Sequence, residues 1–412
     1  MKTETSELLR VPAFRKLLLA RTISNFGNGL SPIAIAFGVL SLPGATPKSL
    51  SLVMFAQLLP IVAFMLIGGV IADRYPRALL IGSADMLLSI LVIGNGFALA
   101  TDHATVKSMM VVGLLSGTLN AVWWPAMSGL IPELVSEEQL QPANSIIGFV
   151  VNFANIIGTV AGGIIVATIG AGYAIVVDGL TFFAAGFLVF QLRQYGRRRE
   201  ATEHSPSVFE DLVHGWREFV SLKWVVAIVA GYSIIAMLFE SAFAVIGPVL
   251  AKESLGGPKP WSWILASFSV GMVVGVLTTV KVRPKRPLFI GVAVQFGMVL
   301  WFLSMGKTES IPFIMVCAFF CGFAMDFFMV LWQTAMQSNV PRESISRVTS
   351  YDAFGSLFFA PLGLIVAGPI VTKFGTQPTF TAYAVIMAIV VIAMLAVRDV
   401  RELPGQQYEI KK

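Results

Sequence analysis

Six charged side chains stand inside long apolar stretches of this sequence. At the centre of a lipid bilayer a charged side chain costs at least about 2.5 to 3.5 kcal/mol, so it is retained only where it is paired or has a function. A carboxylate in a partly dry cavity has its charged form disfavoured, and it can therefore take up a proton and release it again. The set indicates either proton translocation or buried ion pairs. It comprises Arg21, Asp85, Asp178, Glu240, Asp326 and Asp352.

The composition identifies a lipid bilayer as the solvent of this chain. Of 412 residues, 56% are hydrophobic and only 13% are charged, and the mean hydropathy is +0.80, values outside the range of water-soluble domains. The net charge of +6 comes from basic residues dispersed over loops, so we expect no nucleic-acid partner. Cys317 and Cys321 are the only cysteines and no histidine lies in an apolar stretch, so we expect neither a metal nor a cofactor.

Twelve stretches are long enough to cross a bilayer core about 30 Å thick. Of the 29 basic residues, 22 fall on the side that carries both chain ends, six fall on the other side and Arg21 lies inside a span. The positive-inside rule then predicts a multi-pass protein of the cell membrane with both termini in the cytoplasm. Numbered in chain order, the predicted spans cover residues 17–42, 49–72, 78–100, 108–130, 143–168, 172–192, 224–250, 261–281, 288–306, 311–334, 349–371 and 376–397.

The two halves of the chain resemble each other. Trp123 to Pro132 aligns with Trp332 to Pro341 at an offset of 209 residues, at equivalent points of spans 4 and 10. A parallel repeat of this kind predicts two six-helix bundles related by an axis along the membrane normal. The predicted domains are an N-terminal bundle over 1–192, a cytoplasmic connector over 193–223, a C-terminal bundle over 224–397 and a cytoplasmic tail over 398–412.

The loop between spans 2 and 3 reads GGVIADRYPR over residues 68–77. Its small residues allow close helix contact, Asp73 can meet a helix N-terminus, and the two arginines stay at the wet surface. We interpret Gly69, Asp73, Arg74 and Arg77 as a gating loop. The alternative is that the arginines only orient the chain in the membrane.

This loop resembles the signature Gly-x-x-x-Asp-Arg-x-Gly-Arg of the major facilitator superfamily, with Pro76 where glycine is usual. The resemblance covers the whole chain and implies an all-α fold in which spans 1, 4, 7 and 10 line a central cavity. Further stretches resemble the drug:proton antiporter branch, which includes macrolide-efflux and enterobactin-export proteins, and they imply export driven by the proton gradient. These stretches are Pro125-Ala126, Ile131–Val135, Ala143–Ser145, Asp178–Phe182, Gln337–Pro341 and Arg347-Val348.

Span 5 carries glycines where antiporters of this superfamily often have Gly-Pro-x-x-Gly-Gly. The stretch runs from Gly158 to Gly163, with Thr159 in place of the proline. Glycines at this spacing favour close backbone packing in lipid whether or not protons are exchanged. We therefore assign Gly158, Gly162 and Gly163 to helix packing.

The cavity that the resemblance implies separates the intramembrane charges into those that face it and those that do not. Glu240 in span 7 and Asp326 in span 10 face it and are the candidates for proton coupling, with a structural pair between Asp326 and Arg21 as the alternative. Arg21 forms a polar stripe at helical spacing with Asn25 and Asn28 on span 1. The remaining cavity candidates are Asn120, Trp124, Phe239, Phe243 and Phe323.

Three further carboxylates receive structural interpretations. Asp85 lies about 10 Å from the cytoplasmic end of span 3, within reach of Arg77 or another basic loop residue, and we interpret it as structural. Asp178 on a peripheral span is interpreted as a packing or capping residue. Asp352, at the inner edge of span 11, is expected to be solvated.

An apolar, aromatic-walled cavity suits a large amphipathic solute better than a sugar or an amino acid. We therefore predict a secondary transporter, not an enzyme, that exports a hydrophobic or amphipathic small molecule such as a drug, antibiotic or siderophore in exchange for protons by alternating access. The expected partners are the substrate, protons and the lipid bilayer, and we expect a monomer. Two alternatives stay open: a uniporter or flippase of a lipid-like solute such as a lysophospholipid without proton coupling, and a non-transporting membrane sensor or scaffold.

Overall fold

The structure, a computed structural model, consists of α-helices joined by short turns. It describes residues 8–136, 139–194, 216–282, 284–341 and 344–404. Within these ranges 12 helices are long and apolar enough to cross a membrane, which confirms the predicted number of spans. Most of the predicted connector and about half of the predicted tail lie outside the described residues.

The chain divides into two compact units, and unit 1 comprises Met1–Thr202 together with Ala251–Ala266. Within it the first helix packs mainly on the fifth and sixth, the second on the fourth, and the third on the sixth. The helices are α1 (Pro12–Ser41), α2 (Pro47–Arg74), α3 (Arg77–Ala100), α4 (Val106–Leu134), α5 (Leu140–Thr168) and α6 (Ala171–Phe190).

Unit 2 comprises Glu203–Leu250 and Ser267–Lys412. Its first helix, α7, continues through a π-helical turn over Ala242–Ile246 and a helical segment over Gly247–Glu253. The next helix, α8, begins within the segment that belongs to unit 1. The bounds are α7 (Lys223–Ser241), α8 (Pro258–Lys281), α9a (Pro287–Val294), α9b (Phe296–Lys307), α10 (Ile311–Asn339), α11a (Ile345–Leu357), α11b (Ala360–Phe374), α12 (Thr376–Ala396) and the short α13 (Arg398–Glu402).

Spans 9 and 11 are predicted as continuous, and the structure interrupts both. Span 11 breaks after Leu357, because Pro361 has no N–H to donate and its ring clashes with the carbonyl four residues earlier. Span 9 breaks at Gln295, whose N–H bonds to the Val292 oxygen at 3.0 Å, a tighter turn than the α-helix makes. Both interruptions place backbone of unusual geometry inside a predicted span.

The first N–H groups of a helix have no acceptor within the helix. The sequence meets this at the helix starts with prolines, which have no N–H, or with a capping side chain. Proline occupies the first turn of α1 and α2, where its lack of an N–H costs nothing. Thr105 caps α4 by accepting a 3.1 Å hydrogen bond from the Ser108 N–H. Gly170 before α6 and Gly375 before α12 have φ values of 96° and 84°, so the same left-handed turn joins the last two spans of each half.

Glycines bring α1 and α5 into backbone contact within unit 1. A Cβ at Gly158 would overlap the Phe26 carbonyl oxygen, and one at Gly29 would overlap the Asn155 carbonyl oxygen. A Cβ at Gly162 would lie 2.9 Å from the Leu30 Cα atom, a looser approach, while a Cβ at Gly163 would overlap the Ser262 side chain. Helices in lipid associate through such close approach, because the hydrophobic effect does not drive them together there.

Exchanging Gly158 for alanine tests this packing against a control in the same helix. Alanine is favoured over glycine by about 1 kcal/mol in an exposed helix interior, and a Cβ at Gly148 would meet no atom within 4 Å. We expect Gly158→Ala to lower the apparent Tm of the detergent-purified protein by several degrees and Gly148→Ala to leave it unchanged or raise it. Equal Tm values for the two variants would contradict the α1–α5 contact.

Candidate functional site

Unit 1 contains a buried cluster of one cation, one carboxylate and one indole. Asp85 of α3 is only 3% exposed, and its carboxylate accepts a hydrogen bond from the Trp123 side chain of α4. Arg21 of α1 is the cation that attracts Asp85, and its guanidinium carbon stands 4.9 Å from the centroid of the Trp123 ring. The charge of Asp85 is therefore balanced inside the unit, as a buried carboxylate requires.

The partner of Asp85 differs from the one expected. Arg77, at the first turn of α3, donates hydrogen bonds of 2.7 Å to the Gly129 carbonyl oxygen and 3.2 Å to Glu133 Oε1. A Cβ at position 129 would occupy the space of this guanidinium. Asp85 lies about two helical turns further along α3, where a residue of α1 rather than a loop residue supplies its counter-charge.

The gating-loop residues are placed around the junction of α2 and α3. A Cβ at Gly68 would overlap the Ala121 carbonyl oxygen, so α2 and α4 touch there through their backbones. Arg74 ends α2 and is exposed. Gly69 and Asp73 belong to α2, and the surroundings of their side chains lie outside the described part of the structure.

Of the predicted polar stripe on α1, Asn25 is satisfied within its own helix. The Asn25 side-chain amide donates a 2.8 Å hydrogen bond to the Arg21 carbonyl oxygen, one turn earlier. Asn120 makes the same type of bond on α4 at 3.0 Å. Asn28 is half-buried. Among the described residues no hydrogen-bond partner is found for the buried Arg21 Nη1.

Asp178 is also enclosed within unit 1. It is 1% exposed, accepts a hydrogen bond from the Ser31 side chain of α1, and lies where a Cβ on Gly27 would crowd it. Its Oδ1 atom finds no hydrogen-bond partner in the described ranges. The residue therefore packs between α6 and α1.

Unit 2 encloses a cavity of about 310 Å³ between α7, α10 and α11a, with Met298 of α9b contributing to its wall. Most of the wall is apolar and aromatic, including Phe239, Phe328 and Trp332. Lys, Arg and His do not occur among its described lining residues. The polar lining residues are Tyr232, Glu240, Gln333, Thr349, Asp352 and Ser356.

The two carboxylates of this cavity are held differently. Asp352 accepts hydrogen bonds of 2.9 Å from Trp332 Nε1 and 3.3 Å from Ser356 Oγ, so it is fixed in place rather than solvated as expected. For Glu240 the described residues provide no hydrogen-bond or ion-pair partner. Glu240 stands two residues before the π-helical turn of α7, a local widening that is frequent at functional sites.

Asp326 lies outside the cavity, whereas the predicted aromatic residue Phe239 belongs to its wall. Asp326 of α10 is half-buried and is close enough to Tyr232 to interact electrostatically, but it does not line the cavity. Phe239 lines the cavity and stacks on Phe243 with ring centroids 5.5 Å apart.

Phe323 and Trp124 are the remaining aromatic candidates. Phe323 is half-buried and stacks on Phe327 at 5.5 Å rather than lining the cavity. The side chain of Trp124 is outside the described part of the structure.

Sequence reasoning missed Tyr232, Gln295 and the fixed geometry of Asp352. Gln295 Nε2 donates a 2.7 Å hydrogen bond to the Tyr232 hydroxyl, and the Tyr232 ring stacks on Phe328 at 4.8 Å. The internal repeat could have indicated the region of Gln295 and the role of Trp332. Moving Asp85 by the offset of 209 residues leads to position 294, directly beside Gln295, and moving Trp123 leads to Trp332.

Comparison with known proteins identifies the family. A sequence model of the Major Facilitator Superfamily matches residues 17–357 and 234–412. The chain belongs to the Major Facilitator Superfamily. It is therefore a multi-pass membrane transporter of small molecules and not an enzyme.

Similar curated proteins include exporters that match this facilitator over nearly its full length. The Multidrug efflux pump Tap of Mycolicibacterium fortuitum is 24% identical over 94% of this chain and 96% of its own length. The Enterobactin exporter EntS of Escherichia coli is 24% identical over 96% of this chain and 95% of its own length. The predicted resemblance to the superfamily and to its drug and siderophore exporters is confirmed.

Solved structures confirm the predicted fold class. The nucleoside transporter NupG superposes with a TM-score of 0.71 at 12% identity, covering 93% of this chain and 98% of its own. A bacterial homologue of the iron transporter ferroportin gives 0.70 at 13% identity, covering 94% and 100%. At such identities the likeness concerns the fold alone.

Removing one member of the Arg21–Asp85 pair tests whether the pair is energetically coupled. Breaking a buried pair costs about 3–5 kcal/mol because the other charge is left uncompensated. We expect Arg21→Met to lower the apparent Tm in detergent strongly and the double variant Arg21→Met/Asp85→Leu to recover most of the loss.

The exposed pair of Arg398 and Glu402, 2.8 Å apart, supplies the matched control. Arg398→Met should change the apparent Tm little, because surface pairs contribute little to stability. If the effects of Arg21→Met and Asp85→Leu simply added, the two residues would not form a coupled pair.

Proposed function

We propose that this protein is an exporter of the cell membrane that moves a hydrophobic or amphipathic small molecule out of the cytoplasm in exchange for protons, by alternating access. The names of its relatives, a multidrug efflux pump and an enterobactin exporter, support the direction of transport and the substrate class. The excess of basic residues in the loops that share a side with both termini supports a cytoplasmic location for those termini.

One observation carries the proton-coupling part of the proposal: Glu240 stands in a mostly apolar cavity without a partner among the described residues. A buried carboxylate that no protein cation balances can be neutralised only by a proton or by a cationic ligand. Arg21 and Asp85 lack this freedom, because each already has the other's charge beside it. Glu240 is therefore our first proton carrier.

Asp326 is the second proton carrier in this proposal. Asp326 belongs to α10, whereas Glu240 belongs to α7. In the described ranges no hydrogen-bond or ion-pair partner is found for Asp326. Tyr232 interacts with it electrostatically and also lines the cavity that holds Glu240. A proton moving between the two carboxylates would pass this hydroxyl.

In this proposal Arg77 keeps the cytoplasmic end of unit 1 closed. Its bonds to the Gly129 carbonyl oxygen and Glu133 hold the start of α3 against the end of α4. Arg77 and Glu133 belong to stretches that resemble the superfamily signature and its antiporter branch. Opening that end of unit 1 requires these bonds to break.

A uniporter or flippase of a lipid-like solute is the second candidate, and the mostly apolar wall of the cavity favours it. Such a protein moves its solute without a proton-carrying residue. The two candidates therefore differ in what the carboxylates do, and not in the shape of the cavity.

Proton exchange in proteoliposomes separates the two candidates. A thermal-shift screen with antibiotics, siderophores and lysophospholipids first supplies a transported compound, because a ligand at 100 times its Kd stabilises the folded form by about 2.7 kcal/mol. Wild-type protein should then move protons, read by an entrapped pH-sensitive dye, when that compound is added. Glu240→Gln and Asp326→Asn should each reduce this proton flux roughly tenfold or more.

The control variant is Glu309→Gln, because Glu309 is an exposed carboxylate of the same unit and should leave proton flux unchanged. Compound transport that proceeds without proton movement, and that Glu240→Gln leaves intact, would establish the uniporter or flippase and end the antiport proposal.

A further inference from the structure

We propose that the cavity inside unit 2 is a binding site for a compact organic cation with an aromatic or branched apolar body, whose charge is balanced by Glu240 and Asp352. This inference rests on the proposed function and narrows its substrate class. It concerns a cavity that lies wholly among helices of one unit, between α7, α10 and α11a.

The charge of the wall is the first argument. Two carboxylates line the cavity, and its described lining residues include no Lys, Arg or His. An ionised carboxylate in such surroundings needs a counter-charge, and the protein supplies none from the wall. A cationic ligand would supply it, whereas an anionic ligand would add a third negative charge to the same small space.

The placement of the two carboxylates is the second argument. Trp332 and Ser356 hold Asp352 at both of its oxygen atoms, so its charge has a fixed position before any ligand arrives. Glu240, on the opposite helix, has no partner among the described residues and is free to turn towards a bound charge. A fixed group and an adjustable one together suit ligands of differing size.

The aromatic wall is the third argument. Tyr232 stacks on Phe328 at 4.8 Å and Phe328 stacks on Trp332 at 6.1 Å, and all three rings line the cavity. Aromatic faces attract cations, and they are the usual wall of sites for quaternary ammonium groups.

Methionines complete the wall of the cavity. Met298, Met325 and Met329 line it, and their flexible, polarizable side chains adapt to apolar groups of varied shape. A volume of about 310 Å³ is at the lower end of small-molecule sites, which span about 300–1,000 Å³. The cavity therefore fits one compact molecule rather than a long acyl chain.

Binding of two ions of the same shape and opposite charge tests this inference. Tetraphenylphosphonium and tetraphenylborate each carry four phenyl rings around one charged centre, so a difference between them reports charge and not size. We expect the full-length protein in detergent to bind one tetraphenylphosphonium, measured by equilibrium dialysis, and to bind tetraphenylborate at least about tenfold more weakly. Equal affinities for the two ions would overturn the inference.

Substitutions then place the cation in this cavity. Glu240→Gln and Asp352→Asn should each weaken tetraphenylphosphonium binding roughly tenfold or more, because each removes one buried charge facing the ligand. Glu309→Gln, which removes an exposed carboxylate of the same unit, should leave the affinity unchanged. Unchanged affinity in both cavity variants would place the bound ion elsewhere and refute the site.

Carbodiimide labelling of the unaltered protein avoids any dependence on the folding of the variants. Dicyclohexylcarbodiimide modifies carboxyl groups in apolar sites, and tetraphenylphosphonium, but not tetraphenylborate, should protect Glu240 from it, as read by peptide mass spectrometry. Labelling of Glu240 that neither ion changes would also refute the site.

Failure of this inference and failure of the proposed function give different results. Proton-coupled export of another compound without tetraphenylphosphonium binding would leave the exporter standing and remove the cation site. Cation binding in the cavity without any proton flux would keep the cation site and remove the proton-coupled exporter.

Discussion

A peptide group or charged side chain that enters the hydrocarbon of a bilayer must find its polar partner within the protein, because lipid supplies none. The helices of this chain meet the requirement through their own backbone bonds, with proline or a capping hydroxyl where a helix starts. Three departures from regular helix, at Gln295, after Leu357 and over Ala242–Ile246, fall in unit 2. Gln295 shows how such a break is compensated, because its side chain bonds the Tyr232 hydroxyl.

The same requirement divides the intramembrane charges into two groups. Arg21 and Asp85 balance each other beside Trp123, and Asp352 is held by Trp332 and Ser356. These tryptophans occupy equivalent positions of the internal repeat, and each donates its indole N–H to an aspartate of its own unit. Glu240, by contrast, faces a cavity with no partner among the described residues, and the proposed exchange of protons and cations depends on that difference.

Close helix packing makes these arrangements possible. Gly158 and Gly162 of α5 bring that helix against α1, and in unit 2 a Cβ at Gly363 of α11b would overlap the Met237 carbonyl oxygen of α7. Helices that touch through their backbones leave little freedom for rotation about their axes. The side chains they carry, including Arg21 on α1 and Glu240 on α7, are therefore presented in defined directions.

The number of spans, the superfamily and the set of intramembrane charges could all be predicted from the sequence, because each depends on local hydropathy, on loop composition or on short motifs. The partners of the charges could not. Each residue turns a helix by about 100°, so a small error in the rotation of one helix moves a side chain to a different neighbour. Only the tertiary structure decided that Asp85 faces Arg21 rather than Arg77, that Asp352 is fixed by Trp332 rather than solvated, and that Phe323 packs on Phe327 while Glu240 lines the cavity, because these contacts depend on how separate helices are rotated against one another.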